Sequence, residues 1–149
     1  MVGSDCKCKC DFKSWLVQGI VVAALYLGMD MFFHHFCMAR HYQNFAHLFR
    51  STDEIIHLRG WGYFGYLWFG LLFTCIYMKG YDADRSAYAQ GFRYGLLMGL
   101  FYWGAQLLIS YPYMPWPNRI YAGWFAIGIF EFIVLGFILG FLYKPKATT

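Results

Sequence analysis

The sequence predicts an all-α integral membrane protein, a four-transmembrane-helix bundle with both termini cytoplasmic. Three observations predict it. Only 13% of the 149 residues are charged, against about 25% in an ordinary soluble domain. Hydrophobic residues make up 60% of the chain and aromatic residues 23%. Four apolar stretches, each near the ~20 residues that cross a bilayer core, alternate with polar segments. These proportions exclude a soluble single domain, a disordered chain and a disulfide mini-protein.

The elements follow in chain order within a single membrane domain. A tail of alternating Cys and Lys, residues 1–13, precedes a first span from about Trp15 to Met38. That span is too long for the apolar region of a signal peptide, and no small-residue cleavage site follows it. A His-containing outer loop, residues 39–60, leads to a second span from about Trp61 to Met78. The third span runs from about Gly91 to Tyr111 and the fourth from about Ile120 to Tyr143. Between them, Tyr-Pro-Tyr-Met-Pro-Trp-Pro, Tyr111 to Pro117, forms a rigid turn, because its prolines cannot continue a helix. Aromatic residues gather near the span ends, as an interfacial belt requires.

Orientation follows the cations that flank the spans. Lys7, Lys9, Lys13, Lys79, Arg85, Arg93, Lys144 and Lys146 lie on one side, and Arg40, Arg50, Arg59 and Arg119 on the other. The excess puts both termini and the second loop in the cytoplasm. The net charge of +4 is therefore a topology signal. It forms no basic face, so nucleic acid is not an expected partner. The expected partners are the bilayer, bound lipid and other membrane subunits.

In lipid, helices join through close backbone approach and polar bonds. Gly91, Gly95 and Gly99 recur every four residues in the third span. At about 100° per residue, Gln106 and Ser110 continue that stripe toward the bundle interior. Gly136 with Gly140, and Ala24 with Gly28, make further small-residue pairs.

The polar remainder is uneven. All five histidines lie between His34 and His57. Asp30, His34, Cys37 and His41 fall within about 60° of one helical face. No Gly or Pro interrupts Met29 to Ile56, so this helix can continue past the membrane surface. A carboxylate, two imidazoles and a thiol are ligand types for zinc or copper, and a single His can hold a tetrapyrrole axially. The same stripe also reads as an interfacial polar face. Asp30, Glu131 and Gln106 form an intramembrane polar set. An ionised acid there costs several kcal/mol unless paired or hydrated. Asp30 has His34 one turn away, whereas Glu131 must find Gln106, Gln18, a histidine or a tyrosine on another helix, or stay protonated. Cys6, Cys8 and Cys10 face the reducing cytoplasm in this orientation and form a tail suited to a soft metal or to flexibility alone.

The chain resembles a class of small bacterial four-helix membrane proteins. The resemblance lies in Asp-Met-Phe-Phe, Asp30 to Phe33, and in Gly-Phe-Arg-Tyr-Gly-Leu-Leu-Met-Gly, Gly91 to Gly99. It continues in Glu131, Gly136, Gly140 and Leu-Tyr-Lys-Pro, Leu142 to Pro145. It implies the four-span architecture only; the expected location is the bacterial inner membrane. No nucleophile–base motif appears, so the first expectation is a non-catalytic accessory or scaffolding subunit of a larger membrane complex, of the respiratory or photosynthetic electron-transfer kind. A metal- or haem-binding protein using the histidine stripe, and a small proton-coupled carrier or channel using Asp30 and Glu131, are the alternatives.

Overall fold

A computed structural model describes residues 12–143, and among these every regular element is helical, with no strand. Helix α1 (Phe12–Phe33) passes through a π-helical turn (His34–Met38) into α2 (Ala39–Tyr42) and a 3₁₀ segment (Gln43–Leu48). Helix α3 (Thr52–Lys79) follows, then α4 (Ala87–Gly99), a second π-helical turn (Leu100–Gly104), α5 (Ala105–Ser110) and α6 (Asn118–Leu142). The segments Phe12–Leu48 and Asn118–Leu142 are each long and apolar enough to cross a membrane. The thiols Cys6, Cys8 and Cys10 lie outside the described residues.

Local chemistry explains the boundaries. The helical path from α1 stops at Phe49, whose backbone is extended. Ser51 then caps α3. Its hydroxyl accepts the Glu54 N–H at 3.3 Å, and the Glu54 carboxylate accepts the Ser51 N–H at 3.1 Å. This reciprocal pair satisfies two amides that the first turn leaves free. It starts α3 at Thr52, so the second half of the expected outer loop is helix. The first half, Ala39–Leu48, is helical as well and lies over the other outer turn, with Phe49 against Trp116 and Arg119 over the Phe45 ring. At the opposite end, the Gln90 side chain bridges the N–H and C=O of Asp82, while Arg85 pairs with the Asp82 carboxylate at 2.9 Å.

Glycine sets the helix pairing. α4 lies on α6 so closely that a methyl on Gly95 would strike the Phe132 carbonyl, one on Gly136 the Gly91 carbonyl, and one on Gly140 the Ala87 carbonyl. α1 meets α3 in the same way, with Gly70 against the Gly19 carbonyl and Ala23. The expected Ala24 and Gly28 pair is corrected here: both residues are exposed, and nothing lies within 4 Å of a methyl built on Gly28. Gly19 and Ala23, on the neighbouring face, make the contact instead. An aromatic core of Tyr26, Phe69, Phe73 and Phe132 joins α1, α3 and α6.

The two π-helical turns shift the inward faces. Such a turn holds one residue more than an α-turn, because its hydrogen bonds run from i to i+5. In the first helical segment the inward stripe is Asp30, His34, Met38 and Tyr42, with Cys37 and His41 exposed. In the third it is Gly95, Gly99, Trp103 and Leu107, with Gln106 exposed. Both expected stripes are therefore displaced by one residue beyond the turn. Each turn also delivers a side chain onto a glycine of α6. Met38 lies on Gly123, and the Trp103 indole lies on Gly128.

Candidate functional site

α3 and α4 touch where Phe73 meets Tyr94, whose hydroxyl donates to the Phe73 carbonyl at 2.5 Å. Beyond that contact a cleft of about 910 Å³ opens between α3 and the α4–α5 segment. Gly62, Gly65, Tyr66 and Phe69 line it from α3, and Phe101, Tyr102, Gln106 and Ser110 from the facing helices. Asp30 and His34 line it from the first helix.

A chain of polar contacts runs along this wall. The Trp124 indole N–H can only donate, so the Tyr42 oxygen accepts it, at 2.6 Å. The Tyr42 hydroxyl is then directed to Nδ1 of a neutral His34, at 2.5 Å. That assigns the ring proton to Nε2, which faces Asp30 Oδ1 at 3.5 Å. From α3, the Tyr66 hydroxyl donates to Asp30 Oδ2. Two side chains, His34 and Tyr66, thus meet on the carboxylate of Asp30, a residue only 8% exposed. The Nε2 contact is longer than a normal N–H···O bond of about 2.7–3.2 Å, so this donor keeps capacity for a group entering the cleft.

Glu131 lies within electrostatic range of Asp30. It is 0% exposed, and neither carboxyl oxygen has a hydrogen-bond partner among the described residues. The expected bonds to Gln106, Gln18, a histidine or a tyrosine are not formed. Gln106 turns into the cleft, and the Gln18 amide donates to Ser14 at 2.9 Å.

The expected metal set, Asp30, His34, Cys37 and His41, is not assembled. Asp30 and His34 come together, whereas Cys37 and His41 are exposed, rotated away by the π-helical turn. No three His, Cys, Asp or Glu side chains among the described residues could hold one ion. His35, His47 and His57 are exposed. Tyr66, Tyr42 and Trp124 were not singled out by sequence reasoning. Their only signal was a hydroxyl or indole in an aromatic-rich chain, and sixteen other Tyr and Trp positions share it. No family model, curated protein or solved structure matches the chain.

Proposed function

We propose that the chain is a four-span protein of the bacterial inner membrane with cytoplasmic termini, and that it acts as a non-catalytic accessory subunit of a larger membrane complex, of the electron-transfer kind. The four spans lie within Phe12–Phe33, Thr52–Lys79, the α4–α5 segment and Asn118–Leu142, with the first turns of α3, which carry Asp53, Glu54 and Arg59, outside the bilayer core. Each is about 30 Å long or more at roughly 1.5 Å per residue. The cation asymmetry gives the orientation.

One observation carries the subunit reading. The turns of α3 from Thr52 to Gly65 are exposed, and the helix presents an aromatic ladder of Trp61, Phe64 and Trp68. Trp61 is 75% exposed and Trp68 57%. Large rigid aromatic faces give contact area at low entropic cost, and they are enriched at interfaces with partners and at the lipid headgroup level. Bound lipid suits the other end, where Arg85 and Arg93 line a second pocket of about 430 Å³. Purification from native membranes in mild detergent tests the reading. The chain should migrate on a native gel in a complex well above its own 17.5 kDa, and Trp61→Ala with Trp68→Ala should release it. A lone particle of the chain's own mass overturns the proposal.

A proton-coupled carrier is the second reading, favoured by the enclosed Glu131 carboxyl, which has no hydrogen-bond partner among the described residues. Uptake into proteoliposomes that is insensitive to Glu131→Gln removes it.

A further inference from the structure

The cleft combines features that a lipid-filled gap between helices does not need. Its volume lies within the 300–1,000 Å³ typical of sites for small organic ligands. Flat side chains line it, Trp68 and Phe69 from α3 and Phe101 and Tyr102 from the facing segment, with the Phe69 and Tyr102 rings 6.4 Å apart. Hydrogen-bond donors reach it from two sides. His34 Nε2–H enters from the first helix, and the Gln106 amide enters from α5 with no hydrogen-bond partner among the described residues. Donors that make no short bond beside apolar walls favour an occupant with acceptors. The α3 wall is opened by Gly62 and Gly65, where a methyl would find nothing within 4 Å.

We infer that the cleft binds a lipophilic quinone: a flat ring with carbonyl acceptors on opposite edges and an apolar tail. The ring packs against the aromatic side chains that line the cleft. One carbonyl accepts from His34 Nε2–H, whose contact with Asp30 Oδ1 is long at 3.5 Å, and the other accepts from the Gln106 amide. The tail leaves through the open side of the cleft toward lipid. An acyl chain lacks the acceptors. A sterol carries a single hydroxyl and cannot serve donors on two walls. The inference stands apart from the subunit reading, since the aromatic ladder on α3 lies outside the cleft lining apart from Trp68.

The test is equilibrium binding of 2-methyl-1,4-naphthoquinone to the full chain in lipid nanodiscs. It is read by tryptophan quenching, with empty discs as the blank and 2-methylnaphthalene as the same ring without carbonyls. Binding should saturate for the quinone and be at least tenfold weaker for the hydrocarbon. Gln106→Ala, at an exposed position, should weaken quinone binding tenfold or more while the helical spectrum is unchanged. Gly65→Leu should abolish binding by filling the cleft. Equal binding of the two ring compounds, quinone affinity unchanged in either variant, or no saturable quinone binding each overturns the proposal.

Discussion

The Tyr66 hydroxyl donates to the Asp30 carboxylate, tying α3 to α1 at the mouth of the cleft. Hydrogen bonds to a charged group contribute about 1.5–3 kcal/mol. Tyr66→Phe removes the donor, keeps the ring packed on Tyr26, and leaves Asp30 with His34 alone. The expected outcome is a loss of roughly 2 kcal/mol in a reversible detergent unfolding titration. A loss below about 0.5 kcal/mol, the usual size of a neutral surface change, contradicts the bond.

The glycine contacts predict opposite outcomes at two positions. Gly95→Leu drives a side chain into the Phe132 backbone and forces α4 off α6. It should cost about 3 kcal/mol or more. Gly28→Ala meets open space and improves helix propensity, so it should be neutral or stabilising by up to about 1 kcal/mol. Thermal melts of the two variants check both.

Glu131 is a buried acid with no hydrogen-bond partner among the described residues. Replacing such a group with an apolar side chain of similar size is neutral or stabilising. Glu131→Met should therefore raise stability by about 1 kcal/mol, measured in the same unfolding titration. A fall of that size would mean that the carboxyl makes a bond essential to the fold.

The cap of α3 is sensitive to acid. The Ser51 hydroxyl, and then its backbone N–H, hold the Glu54 carboxyl below the usual glutamate range. The folded value is depressed, so this contribution is present above the unfolded value of about 4.3 and is lost as pH falls through the folded one. Amide exchange at Glu54 and Ile55 should accelerate below about pH 4, while exchange at Phe73 stays unchanged. Ser51→Ala should show the faster exchange already at neutral pH.

Much of the helix pairing was legible in the residues. Gly91, Gly95 and Gly99 faced by Gly136 and Gly140 is a four-residue repeat that only close backbone contact rewards, and the helices meet there. The helical turns before Trp61, from Thr52, were not legible because the Ser-Thr-Asp-Glu cap lies among polar residues that resemble a loop. The Asp30–His34 pair was also legible, since it needs only one turn of helix. The tyrosines that complete the cluster were not, because Tyr66 and Tyr42 reach it across distances that no local spacing encodes.

The sequence by itself determined that the chain is helical, apolar and joined through glycine, because composition and a four-residue period act within a single helix. Tertiary structure decided which polar residues look inward. A spacing of three and four residues assumes a constant advance of about 100° per residue, and the turns His34–Met38 and Leu100–Gly104 break that constancy. Each turn brings a large side chain, Met38 or Trp103, onto a glycine of α6. Packing against a distant helix repays the altered hydrogen bonding, so no neighbour in sequence announces it. One added residue per turn moves Cys37, His41 and Gln106 off the stripes that spacing assigned them, dispersing a metal set and turning an amide into the cleft.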